Sequence, residues 1–210
     1  MMHRGVFLGE GSSDAGISVH IERIAIECGI DVQLATPDTD LLPVADKTVA
    51  GKLRALRQLG GKYDIVFIHR DADGAGREAR ISEIGNAISE VLPDTVHIAV
   101  VPVRMTEAWL VLDERLIRGV AGNPNGRVRL NIPTVKEAER IADPKALLKE
   151  LIAEASETSG RRRKLLQAAF PYNRRRLLEE LDPGGPVRHL ESWRRFVDET
   201  AEGLRKLDQL

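Results

Sequence analysis

Tyr63-Asp64-Ile65-Val66-Phe67-Ile68-His69-Arg70-Asp71-Ala72-Asp73-Gly74 is the stretch whose reading decides the fold. Ile65 to Ile68 is a continuous apolar run rich in β-branched and aromatic residues, which suits a strand covered on both faces rather than an amphipathic one. Two carboxylates follow at once. An Asp-x-Asp pair just past the carboxyl end of a buried strand lies where open α/β sheets bind ligands, and its spacing lets both side chains converge on one cation. Gly74 and Gly76 allow a tight turn behind it. A plainer reading has Asp73 cap the helix that begins near Gly76 while Asp71 pairs with Arg70.

With 210 residues, 42% of them hydrophobic and 30% charged, the chain has enough material for one core plus an appendage. No apolar run is long enough to span a bilayer. The run Gly5–Gly9 is broken by Glu10 and is too short for a secretory leader, and the single cysteine, Cys28, excludes an internal disulfide framework. These features predict a cytoplasmic protein. The formal net charge of −1 gives no overall attraction to nucleic acid. Basic residues nevertheless cluster late in the chain, at Arg161-Arg162-Arg163-Lys164, Arg174-Arg175-Arg176, Arg188 and Arg194-Arg195. Phosphate contact and a solvated face with i,i+4 acidic partners both remain open for them.

Outward from the opening stretch, strands and helices alternate. Gly5–Gly9 reads as a first strand and Glu10–Asp14 as its loop, followed by a helix to Cys28 with Ser12 or Ser13 as N-cap. Asp31–Ala35 is a second strand. After a loop with Pro37 and Pro43, a helix runs over Ala45–Leu59 with Val49, Leu53, Leu56 and Leu59 on one face, and Gly60-Gly61 ends it. The Tyr63–Ile68 strand, a helix from about Gly76 to Leu92 and a fourth strand, Val96–Val101, complete the pattern. Such alternation predicts parallel βαβ units with right-handed crossovers. If the first and third strands are adjacent, Glu10 comes beside Asp71 and Asp73.

Val103–Asp113 reads as a helix entered from the fourth strand, which would bring Glu107 to the same edge; alternatively Glu107 only complements the helix dipole and Trp109 is core. Residues 121–133 read as a loop. From Thr134 the pattern is helical: Val135–Ile141, Pro144–Ala155, Arg161–Ala169, Arg174–Leu181 and Glu191–Leu207. The expected organisation is an α/β domain over 1–120 and an all-helical C-terminal extension over 134–210.

Assembled, these residues resemble the Toprim group, and more narrowly the small stand-alone Toprim-like proteins of the DUF4276 family. Glu10-Gly11 after the first strand, Asp71-x-Asp73 after the third and Glu107-Ala108-Trp109-Leu110 after the fourth carry the resemblance, and Asp143-Pro144-Lys145 and Pro171-Tyr172-Asn173 extend it towards the C-terminus. It implies a Rossmann-like parallel sheet of about four strands flanked by helices and Mg²⁺- or Mn²⁺-dependent phosphoryl chemistry on nucleic acid, DNA or RNA. Glu10, Asp71, Asp73 and Glu107 are then the catalytic set, with Glu10, Asp71 and Asp73 as metal ligands and Gly11, Ser12 and Arg70 against the substrate. Hard carboxylate oxygens suit such ions. The chain lacks the context of a topoisomerase tyrosine and the further modules of a primase, so cleavage is the favoured reaction. The resemblance also implies a partner ATPase in a two-component defence system, and it leaves the oligomeric state open, a homodimer included.

Two rivals compete. Val66–Gly74 also resembles the Asp-x-Asp-Gly signature of haloacid-dehalogenase-like phosphatases, with Asp71 as nucleophile, although that family places it on the first strand and follows it with Thr or Val rather than Ala75. The other is a non-catalytic module that holds metal or a partner protein.

Overall fold

The structure is a computed structural model that describes residues 2–38, 41 and 47–209; Pro43 and the expected helix start at Ala45 lie outside the described residues. The chain forms two compact units, Met1–Val103 with Arg195–Leu210, and Arg104–Arg194.

The first unit is built on four strands, β1 (Met2–Leu8), β2 (Asp31–Ala35), β3 (Ile65–His69) and β4 (Val96–Val100), all parallel in the order β2-β1-β3-β4. The fold class is thus α/β, with a parallel sheet flanked by helices and a helical C-terminal part. Every residue of β3 is buried, as its unbroken apolar run requires of a central strand, whereas the edge strand β2 alternates between exposed and half-buried positions. The connections are α1 (Ser18–Glu27), α2 (Val49–Gln58) and α3 (Arg77–Val91). Leu53 and Leu56 of α2 and Ile84 and Ile88 of α3 pack with Val6, Leu8, Val66 and Ile68 on one face of the sheet. Since side chains alternate along a strand, Phe7, Ile65 and Phe67 cover the opposite face, and Ile98, in register with Phe67, joins them.

Local chemistry sets several boundaries. A short 3-10 helix, Ser12–Ile17, precedes α1, and neither Ser12 nor Ser13 caps it: the Asp14 carboxylate accepts from the Gly11 N–H at 3.0 Å. Thr48 caps α2 by accepting from the Gly51 N–H, and Leu59, expected on the buried face, lies past the helix end and is exposed.

The second unit is helical: α4 (Glu107–Leu110), α5 (Glu114–Val120), α6 (Val135–Ala138), α7 (Pro144–Ala155), α8 (Gly160–Ala168) and α9 (Phe170–Glu180). Of the helix expected over Val103–Asp113 only Glu107–Leu110 is helical, and Asp113, expected as its end, turns extended, its carboxylate accepting from the Leu116 N–H at 2.9 Å to open α5. Asp143 caps α7 in the same way, with Pro144 in the first turn where a missing N–H costs nothing. Trp109 stacks edge-on against Trp193 with centroids 5.1 Å apart, and its indole N–H donates to Ser192 Oγ at 2.8 Å.

The last helix, α10 (Glu191–Leu207), begins in the second unit and ends in the first. Within the first unit it approaches β4 closely at Gly203, where an added Cβ would fall 2.4 Å from Ile98 Cδ1 and 2.6 Å from Cγ1. Gly203→Ala should therefore lower stability by about 1–3 kcal/mol through overpacking, set against a helix-propensity gain of about 1 kcal/mol. In an Ile98→Ala background the clash is gone and the same change should stabilise, a reversal of sign that a urea-denaturation double-mutant cycle reads directly.

Candidate functional site

The parallel register pairs Leu8 with Ile68, so the chain leaves β1 and β3 side by side at their carboxyl ends. Helices reach the sheet from opposite faces at this point, because β1 connects outward to β2 and β3 outward to β4, which makes it the switch point of the sheet. Glu10 and Arg70 meet there, with Arg70 Nη1 2.8 Å from Glu10 Oε1. The loop after β1 is tied down from below by Lys52 of α2, whose buried ammonium donates to the carbonyls of Gly9 at 2.7 Å and Glu10 at 2.8 Å. Gly9 is required by space: a Cβ there would stand 2.6 Å from Asp14 Cβ.

Behind this pair lies a group that sequence reasoning does not single out. His69, the last residue of β3, is fully buried, with Nδ1 3.4 Å from Asp14 Oδ2 and Nε2 3.4 Å from Asp71 Oδ1. Burial by itself would depress its pKa, but the two carboxylates outweigh burial and lift it to about 10. His69 is therefore an imidazolium at neutral pH, joining the loop after β1 to the loop after β3. Its one signal in the sequence is its place between a buried run and an Asp-x-Asp pair.

Asp71 is held at the rim by His69, and its backbone carbonyl accepts from Arg80 Nε at 3.0 Å. Asp73 is exposed, adopts a positive φ of 45° and has Arg80 Nη2 3.8 Å away. It does not cap α3, whose N-cap is Gly76 without a side-chain bond. Glu83 braces both arginines, 2.9 Å from Arg80 and 3.5 Å from Arg70. Among the described residues no group of three or more His, Cys, Asp or Glu side chains stands together as a metal cage. The donor chemistry nonetheless fits a hard cation: burial raises the pKa of Glu10, Arg70 partly offsets this, and nearby Asp71 and Asp14 raise it further, so added positive charge at Glu10 is favourable.

Gly11 and Ser12 lie in the loop that Asp14 folds back on itself, Ser12 exposed and Gly11 with open space on its Cβ side. Glu107 belongs to the second unit. There it is buried against Arg174, whose Nε donates to Glu107 Oε1 at 2.8 Å, while Oε2 has no hydrogen-bond partner among the described residues. Beside the rim, a recess bordered by Leu8, Gly9, Lys52, Ile68, His69 and Arg70 has about 10 Å³ of space, roughly that of one water molecule. Comparison with protein-family models, with curated proteins and with solved structures finds no match to this chain.

The charge on His69 makes a pH prediction. Its folded-state pKa lies above the ordinary 6.5, so its contribution to stability is complete below about pH 6.5 and is lost as pH rises through about 10. Stability of the parent should fall across that interval, whereas His69→Leu, destabilised by about 3–5 kcal/mol at neutral pH through loss of the shared cation, should show a flatter profile. Chemical denaturation at a series of pH values checks both; parallel profiles would mean that His69 is neutral in the fold.

Proposed function

We propose that the rim between β1 and β3 hydrolyses phosphodiester bonds in nucleic acid with the help of a divalent cation, as the Toprim-like resemblance implies. The observation that supports this reading is the meeting of Glu10 with the Asp71 loop at the switch point of a parallel sheet, backed by a buried carboxylate–imidazolium–carboxylate link. Glu10, Asp71 and Asp73 would hold Mg²⁺ or Mn²⁺, which when bound stabilises charge on a phosphodiester and activates water.

The chain's own groups divide the remaining work. Glu10, with its proton affinity raised by burial, is suited to take a proton from the attacking water. Arg70 neutralises Glu10 at rest and stands where its guanidinium can turn to a phosphate oxygen. His69 and Asp14 fix the orientation of Asp71. Turnover would also require a partner ATPase, as the resemblance implies.

A second reading has its own support. Arg70, His69 and Arg80 already face Glu10, Asp71 and Asp73, as they would in a binding module that never turns over.

Nuclease assays on plasmid DNA and on RNA with Mg²⁺ or Mn²⁺, with and without the products of neighbouring genes, separate the two. Asp71→Ala should abolish cleavage. Glu10→Gln should remove turnover while Mn²⁺ binding, followed by isothermal titration, is largely kept. A protein that binds Mn²⁺ yet cleaves no nucleic acid under any of these conditions supports the binding module, and turnover of a small chromogenic phosphate ester would point to a phosphatase.

A further inference from the structure

Many cations of the chain have carboxylate partners. Arg118, Arg175, Arg176 and Lys206 each pair with a glutamate one turn away, Arg174 with Glu107, and Arg77 with Glu199 and Glu78. The cations that open α8 have none. Arg161, Arg162, Arg163 and Lys164 are all exposed and make no ion pair or hydrogen bond among the described residues, and the helix, Gly-Arg-Arg-Arg-Lys-Leu-Leu-Gln-Ala, contains no acidic residue.

Two features make this placement unfavourable for the isolated protein. Positive charge at a helix N-terminus opposes the macrodipole, and α8 buries none of its residues, so packing does not compensate. In a chain with 31 basic and 32 acidic residues, four cations in a row without a counter-charge are a local excess rather than a reflection of composition. A bound polyanion supplies the missing charge.

The arrangement also selects among polyanions. Consecutive helical residues point about 100° apart, so the cations surround the axis instead of lining one face, and α8 has no apolar face to enter a bilayer. On α9, which follows and packs against α8, Tyr172 is 65% exposed in the first turn. An exposed aromatic ring on the helix that packs against a basic one is a combination suited to single strands, with phosphates on the cations and a base on the ring. We propose that α8 together with Tyr172 is a docking surface for single-stranded nucleic acid on the second unit, a role that does not require the rim of the first unit to be catalytic.

Fluorescence anisotropy of a labelled single-stranded oligonucleotide with the full chain tests this across a salt series. Replacing Arg161, Arg162, Arg163 and Lys164 together by Gln should weaken binding and reduce the slope of log K against log salt by ~0.7 for each phosphate that is no longer neutralised. The Arg175→Gln, Arg176→Gln double variant, whose arginines are already paired, should leave the slope nearly unchanged. Tyr172→Ala should cost about tenfold in single-strand affinity and less on a duplex. The titrations are run in EDTA, where metal-dependent cleavage does not occur, so failure of the catalytic reading is distinguishable from failure here.

Because the Gln variant removes cations from a helix N-terminus, it should melt no lower than the parent. Should it melt lower, the Arg→Lys variant at positions 161–163 decides, since it must keep the salt slope. An unchanged slope in the Gln variant, an equal loss in the Arg175/Arg176 variant, or tighter binding to anionic phospholipid vesicles or polyglutamate than to the oligonucleotide overturns the proposal.

Discussion

Parallel pairing of β1 with β3, Leu8 against Ile68, is the constraint on which the rim of the first unit depends. Three groups of polar contacts there bridge segments that are distant in sequence and adjacent only because these two strands are. Arg70 reaches Glu10, His69 reaches Asp14, and Lys52 comes from a third segment to hold the carbonyls of Gly9 and Glu10. A slip of one residue between the strands would turn His69 to the other face of the sheet and break the link between Asp14 and Asp71.

The balance of charge at this rim follows from its burial. Carboxylates gathered at one edge repel one another, and repulsion in a partly desolvated place is costly unless cations are interleaved. Here the interleaving is graded by depth. His69, wholly enclosed, serves the buried Asp14 and the half-buried Asp71, while Arg70 and Arg80 serve the more open Glu10 and Asp73. The deep link is rigid because breaking it strands a charge. The outer pairs are accessible to solvent and can be exchanged at small cost.

In the second unit the same physics separates basic segments that look alike in one dimension. Arg175 and Arg176 of α9 stand four residues before glutamates and are neutralised along their own helix, and Arg174 turns inward to Glu107. The α8 cations have no acid within reach on their helix and remain a field directed at solvent. Density of basic residues alone does not mark a charged surface; the spacing to the next acid does.

Much of the architecture is legible without coordinates. The buried run of β3, Asp31–Ala35, Pro144–Ala155 and Glu191–Leu207 are readable because strand and helix periods, caps and prolines act over a few residues and need no tertiary partner. So is the convergence of Glu10 with the Asp71 loop, since alternation of strands and helices implies parallel strands with all carboxyl ends on one edge. The helix over Val103–Asp113 misleads, because the apolar run from Ala108 to Leu112 is buried although only Glu107–Leu110 is helical, and Asp113 caps a new helix instead of ending that one. What only the tertiary structure decides is who neutralises whom. His69 and Asp14 lie 55 positions apart by their numbers, and nothing local in either segment distinguishes a histidine that merely ends a strand from one lodged between two carboxylates. The two carboxylates hold the imidazole protonated against the loss of water that burial imposes, and only folding brings the three groups together.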